Sequence, residues 1–342
     1  MLRLPQSNRS IAEFQTAALL SDSHRYTVPT SLVTGASGFI GPRLVARLQK
    51  AGSEVVCLVR GSSNTDRLAP LGVRLVTGDV TDPASLIWAL DGIDEVYHLA
   101  GKLHASRLED YLAVNEQGAK NLAQACAQRE TSPVLINVSS LAAAGPSSAG
   151  KPHTEADPSR PISMYGKSKL ASEQALRPFA NDVPITTVRP PVVFGPGDRD
   201  GFLMFQGIRR TRLHPVPNRS GLPLSLIHAD DLCEALFLAG DRGERMAPNQ
   251  SAGDSTGLYY AADPTPSTWA DAGRMAADGM GVGVWVIKLR KWPFIIPALV
   301  GDLMGRLSGK PSIFGMDKLR EASATGWVCS VEKAASELGF AP

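Results

Sequence analysis

Ser31-Leu-Val-Thr-Gly35-Ala-Ser-Gly38-Phe-Ile-Gly41-Pro42 is the stretch of this 342-residue chain on which its fold turns. Ser31 to Gly35 reads as a short buried strand and Pro42 to Lys50 as the helix after it, which leaves three glycines at the junction. Glycines spaced Gly-x-x-Gly-x-x-Gly let the backbone turn tightly and approach a pyrophosphate, whose charge meets the helix N-terminus. A glycine turn that merely packs helix on strand is the simpler alternative, so the surrounding sequence must decide.

Outward from this turn, apolar runs keep alternating with helical patterns. Glu54–Val59, Val73–Val76, Glu95–Leu99, Val134–Val138 and Ile185–Arg189 are strand candidates, with helical segments near 83–90, 108–130 and 163–180 between them. Asp82-Pro83 has the form of an N-cap followed by proline at the first helical position. Repeated strand–helix units predict an α/β, Rossmann-type, doubly wound parallel sheet with helices on both faces. Beyond Phe194 the pattern becomes irregular, with Pro196, Pro215, Pro217 and Pro223 around the basic residues Arg209, Arg210 and Arg212. Leu226–Asp231 then reads as a strand entering a capped helix, and Leu258–Ala261 as another strand. The expected division is a nucleotide-binding domain at 30–195 and 223–262, and a smaller substrate lobe at 196–222 and 263–342.

Composition narrows the class. A net charge of +2 gives no sign of a nucleic-acid binder, and 43% hydrophobic with 20% charged residues is ordinary for a globular protein. Cys57, Cys126, Cys233 and Cys329 are far apart, as expected of reduced, buried thiols in a cytoplasmic protein. The six histidines show no ligand spacing, so no metal site is expected. Residues 1–29 read as a loosely docked extension without signal-peptide character, and no apolar run is long enough to span a membrane.

Chemistry enters at Tyr165-Gly-Lys-Ser-Lys169, 25 residues beyond Ser140. Residues four apart share a helix face, so Lys169 is expected beneath the Tyr165 ring. A tyrosine hydroxyl titrates at about 10, and a neighbouring ammonium favours its anion, which would let the phenol exchange a proton near neutral pH. At the end of the second strand, Cys57-Leu-Val-Arg60-Gly-Ser-Ser63 lacks the carboxylate that would bind an adenosine ribose and exclude a 2′-phosphate. Arg60, with Ser62 or Ser63, suits that phosphate and favours NADP(H) over NAD(H); a solvated Arg60 would tolerate either.

Taken in order, these motifs resemble those of the extended short-chain dehydrogenases/reductases, the NAD(P)-dependent epimerase/dehydratase superfamily. The resemblance runs over about 31–262 and rests on Thr34–Gly41, Gly78-Asp79-Val80, His98-Leu-Ala-Gly101, Asn115 to Gly118 with Asn121, Val138-Ser-Ser140, Tyr165–Lys169 and Arg189–Pro196. It implies that Tyr165 is the general acid/base, that Lys169 assists it and binds the nicotinamide ribose, and that Ser140 steadies the substrate oxygen. Asn115 would order the site. Gly35, Ser37, Gly38, Phe39, Ile40 and Gly41 would hold the dinucleotide phosphates, Asp79 and Val80 the adenine, and Leu99, Ala100 and Gly101 the pyrophosphate and ribose. Pro190 and Val193 would flank the nicotinamide, and Val138 would also contact the cofactor. His98 and His228 stay open between structural and functional roles.

Within that superfamily, nucleotide-sugar enzymes usually carry an asparagine where this chain has Val192, and the dehydratases an acidic pair where it has Leu141 and Ala142. The Arg189–Asp198 run and Leu226–Asp231 are more similar to the 3β-hydroxysteroid dehydrogenase and dihydroflavonol reductase branches. The implied activity is interconversion of a secondary alcohol and a ketone on an apolar or polycyclic small molecule; the alternatives are a nucleotide-sugar 4-epimerase or dehydratase with tightly bound NAD, and a scaffold without chemistry. Many relatives pair as homodimers through helices matching 108–130 and 163–180. Trp285–Val300 mixes apolar and cationic residues, and 285–320 holds seven Lys/Arg against two Asp. That segment would line a substrate cleft, rest on an anionic membrane surface, or simply pack over the sheet domain.

Overall fold

The computed structural model describes residues 28–148, 150–216, 221–248, 254–308 and 315–342. Nearly all of the expected N-terminal extension, residues 1–27, lies outside them. Seven parallel strands form the central sheet: β1 (Thr30–Thr34), β2 (Glu54–Val59), β3 (Arg74–Thr77), β4 (Glu95–His98), β5 (Val134–Val138), β6 (Ile185–Arg189) and β11 (Leu258–Tyr260). Their order is β11-β6-β5-β4-β1-β2-β3, so the winding reverses at β1, between β4 and β2. Crevices at such a reversal, outside the carboxyl ends of the strands, are where doubly wound sheets bind ligands.

Strands covered on both faces read as continuous apolar runs, which is why β2, β5 and β6 begin and end where the sequence predicts. One face packs Val33, Cys57, Ile136 and Val188 against α1 (Gly41–Lys50) and α7 (Ala229–Arg242). The other packs Leu32, Val56, Leu135 and Ile185 against α2 (Pro83–Ala89), α3 (Leu108–Ala127) and Leu176 of α5 (Met164–Leu176). Asp82 caps α2 by accepting the Ala84 N–H at 3.2 Å. The four cysteines are buried and free, and burial pushes each thiol up to about 12.

The smaller lobe contains α6 (Arg199–Thr211), α8 (Trp269–Gly279), α9 (Ile295–Ser308) and α10 (Met316–Ala322), with short strand pairs. β7 (Val192–Phe194) runs parallel to β10 (Leu226–His228), and β8 (Leu213–Val216) parallel to β13 (Trp285–Lys288). β9 (Pro223–Leu224) pairs antiparallel with β12 (Ser267–Thr268), which stitches the returning chain to the lobe. One part of the expected division does not follow the packing. The last helix, α11 (Glu332–Leu338), places Ala334 and Leu338 in the core cluster of the central sheet, so the end of the 263–342 segment completes the larger layer.

Candidate active site

The glycine turn between β1 and α1 is built by backbone proximity. Gly35 has φ +69°, and a Cβ there would lie 2.6 Å from the Ala100 nitrogen; at Gly41 it would meet the Ala36 carbonyl oxygen at 2.1 Å. Gly38 is different: it is exposed, and only the Gly35 oxygen stands near, at 3.1 Å. The turn Ser37-Gly38-Phe39-Ile40 leads into the N-terminus of α1, where Ile40 makes no side-chain cap, Pro42 carries no N–H and the Arg43 N–H donates to the Ile40 carbonyl at 3.1 Å. That arrangement suits a dinucleotide pyrophosphate.

The end of β4 lies beside it. His98 Nδ1 hydrogen-bonds Thr34 Oγ1 at 2.8 Å, and the Ala100 N–H donates to the same hydroxyl at 3.2 Å. Burial, with Lys169 adding to it, lowers His98 to about 3, so this ring is a neutral strut between β1 and β4. His228 is likewise structural: its Nδ1 accepts the Asp230 N–H at 3.3 Å and caps α7. Leu99, Ala100 and Gly101 follow, and a Cβ on Gly101 would lie 3.2 Å from Asn115 Oδ1 and 3.7 Å from Lys169 Nζ. Asn115 accepts the Lys102 N–H at 2.6 Å and donates to the Lys102 carbonyl and to Ser168 Oγ. It therefore ties the Gly101 loop to the Tyr165 helix.

Beyond the end of β3, Asp79 Oδ1 accepts from the Thr81 backbone and hydroxyl, each at 2.8 Å, while the Val80 carbonyl takes Asn121 Nδ2 at 2.9 Å. Arg60 is exposed at the end of β2, and its turn is closed by the Ser63 N–H to the Arg60 carbonyl at 2.9 Å. No carboxylate stands in that turn.

Tyr165 lies in the first turn of α5, where Ser163 caps the helix by accepting the Gly166 N–H at 2.9 Å. The Ser140 hydroxyl is near enough to favour the ionised form of the Tyr165 phenol, and Ser140 also caps α4 (Leu141–Ala144) by accepting the Ala142 N–H at 3.1 Å. Ser139 is buried and committed to Glu173, which leaves Ser140 as the serine facing Tyr165. Lys169 Nζ donates to the Val138 carbonyl at 2.6 Å. The buried Pro190 accepts the Leu141 N–H at 2.8 Å, and Val193 follows on β7.

Two sequence expectations need correction here. The cation over the Tyr165 ring is Lys318 of α10, 5.7 Å from the centroid, whereas Lys169 turns to Val138. The Tyr165 hydroxyl also moves in the opposite direction from the one expected: burial pushes it up, and the nearby Ser140 hydroxyl only partly offsets this. Burial lowers Lys169 to about 8, with Glu173 pulling it back up. The sequence reading missed Glu173 itself, whose carboxylate takes Arg189 Nε at 2.8 Å and Nη2 at 2.6 Å. Its signal was available: an acid four residues after Lys169, on the helix face that holds Tyr165 and Lys169. Tyr111, with its ring centroid 6.2 Å from that of Tyr165, was missed as well.

A Rossmann sheet with a glycine turn at its first crossover and a Ser-Tyr-Lys cluster beside it defines the class of NAD(P)-dependent, extended short-chain dehydrogenases/reductases. The chain belongs to the NAD dependent epimerase/dehydratase family, whose profile matches residues 31–251. It is 32% identical over 300 residues to a ceramide reductase of Caulobacter vibrioides, covering 87% of this chain and 85% of that one. A 2-alkyl-3-oxoalkanoate reductase of Stenotrophomonas maltophilia is 26% identical over 333 residues, with 91% and 94% covered. Among solved structures, one titled gox2253 superposes with a TM-score of 0.70 at 27% identity, covering 92% and 93%. The protein is thus an NAD(P)-dependent oxidoreductase. Among the described residues, no helix is long and apolar enough to cross a membrane.

Proposed function

We propose that this enzyme reduces a ketone to a secondary alcohol on an apolar substrate, preferring NADP(H), with Ser140, Tyr165 and Lys169 as its catalytic residues. The observation that carries this reading is their shared placement at the end of β5: Ser140 close enough to act on the Tyr165 phenol, and Lys169 Nζ on the carbonyl of Val138, two residues before Ser140. When bound, the nicotinamide supplies the hydride for ketone reduction. The turn from Gly35 to Gly41 would hold its phosphates, Asp79 and Val80 its adenine, and Arg60 a 2′-phosphate.

In the reducing direction Tyr165 is the proton donor. Burial raises the Tyr165 hydroxyl, so the phenol carries its proton at neutral pH and is ready to donate it to a carbonyl oxygen. Donation leaves a phenolate, and the Lys169 ammonium, retained below about 8, stabilises that charge. Ser140 donates to the same oxygen as it becomes an alkoxide. Asn115 acts by positioning, since it ties the Gly101 loop to Ser168. The substrate class draws on two relatives named as reductases of ceramide and of 2-alkyl-3-oxoalkanoate. It also draws on Leu141 and Ala142, which put apolar side chains where sugar dehydratases carry acids.

The test is Tyr165→Phe, assayed by cofactor absorbance against a panel of long-chain and polycyclic ketones. The wild type should turn over at least one of them, with a higher kcat/KM for NADPH than for NADH. The variant should lose about a hundredfold or more in kcat while its NADPH affinity, read by fluorescence titration, stays unchanged. Retained turnover in the variant would refute the assignment, and equal kcat/KM with both nicotinamides would refute the NADP(H) preference.

A further inference from the structure

α9 is built inside out. It presents Ala298 and Gly305 to the protein, the former with no exposed surface, and turns its large aliphatic residues outward. Ile296, Leu299, Val300, Leu303, Met304 and Leu307 recur at helical three- and four-residue spacing, so they form one continuous stripe. Ile296 is 71% exposed and Leu307 75%. A helix whose only purpose was to cover the sheet domain would face the opposite way, because burying those side chains is what stabilises a packed helix.

The charge around the stripe says what covers it. Residues 285–308 hold four Lys/Arg against Asp302 alone, a net of +3 in a chain whose total is +2. That acid is used internally, since Asp302 accepts the Met316 N–H of α10 at 3.1 Å; in α10 itself Asp317 accepts the Met164 N–H at 2.9 Å, and Lys318 and Arg320 pair with Glu321 and Asp317. Lys288, Arg290 and Lys291 are exposed just before the stripe, followed by Trp292, itself 68% exposed. Apolar residues on one side of a helix, cations beside them and a tryptophan at the boundary match the chemistry of an anionic bilayer surface. A two-fold pairing of this face with a second copy would set the same cations against each other. At 14 residues, α9 is short of the roughly 20 needed to span a bilayer.

We infer that α9, with the basic segment before it, is an interfacial helix that docks the enzyme onto anionic lipid membranes. The docked face connects to the catalytic centre through the two hydrogen bonds above, α9 to α10 and α10 to the residue preceding Tyr165. Docking concerns the surface alone and can be measured without substrate, so its failure is distinct from failure of the proposed activity.

The test is flotation of the full chain with vesicles of phosphatidylcholine, alone or in an equimolar mixture with phosphatidylglycerol. The protein should float with the mixed vesicles roughly tenfold better than with phosphatidylcholine, and salt should weaken this binding. Leu299→Glu/Leu303→Glu should abolish flotation while leaving the melting temperature and the NADPH affinity unchanged. Lys288→Glu/Lys291→Glu should remove the preference for the anionic lipid. No flotation of the wild type, or flotation that neither double variant reduces, would overturn the inference. So would a solution mass twice that of the Leu299→Glu/Leu303→Glu variant, which would give this face to a second copy.

Discussion

Glu173 stands one helical turn beyond Lys169 and holds Arg189 in a buried, two-pronged ion pair that also engages Ser159 and Tyr260. Burial opposes the Arg189 charge, but Glu173 and Tyr260 more than compensate and raise it, so the guanidinium stays ionised. The same carboxylate pulls Lys169 upward against a burial effect that leaves it at about 8. If a charged Lys169 is required, ketone reduction falls as pH rises through about 8, because the ammonium loses its proton there. Glu173→Gln removes the upward pull, so this alkaline limb of kcat/KM should move to lower pH, while Glu173→Asp should leave it in place. The amide variant breaks a buried pair and should also lose about 3–5 kcal/mol of stability. An alkaline limb that stays put in a folded Glu173→Gln variant would show that Glu173 acts on structure alone. Arg189 opens one of the sequence motifs and Glu173 lies four residues beyond another, yet nothing in their spacing says they touch, because β6 and α5 meet only in the folded sheet.

At the scale of elements, the glycine turn divides its work between positions. Gly41 sits where a Cβ would strike the Ala36 carbonyl at 2.1 Å, so α1 can approach β1 only with hydrogen there. Gly38 is exposed and a Cβ there would have a single close neighbour, the Gly35 carbonyl oxygen at 3.1 Å, so a methyl group would ask for a shift of a few tenths of an ångström in the turn rather than move α1 off β1. Gly41→Ala should cost about 1–3 kcal/mol from overpacking, visible as a lower melting temperature. Gly38→Ala should melt near the wild type yet bind NADPH more weakly by fluorescence titration. Equal thermal losses at both positions would contradict this division. Elements of this kind were legible because β1, β2, β5 and β6 are buried on both faces and therefore carry unbroken apolar runs. The strands of the lobe were not. β8 contains Pro215 and β9 begins at Pro223, residues tolerated only in short or edge pairings, and β13 is a four-residue run, Trp285–Lys288, opening a stretch that mixes apolar and cationic residues.

Across the whole molecule, the chain leaves the sheet domain for the lobe and then returns. α11 lies far along the sequence from the glycine turn, yet Leu338 shares a core cluster with Leu44 and Leu48 of α1. The signal was faint, since a seven-residue helix near the chain's end carries too few apolar positions to declare which layer it joins. Two leucine truncations separate the layers by measurement. Leu338, with 1% of its surface exposed, should lose about 2–5 kcal/mol as Leu338→Ala, through lost burial and the cavity left behind. Leu303, 57% exposed on α9, should change stability by no more than about 0.5 kcal/mol as Leu303→Ala in membrane-free buffer. Urea denaturation followed by circular dichroism reads both from the midpoint. A Leu338→Ala midpoint equal to that of the wild type would detach α11 from the sheet core. A large loss in Leu303→Ala would mean that the outward stripe of α9 is already buried in the free protein.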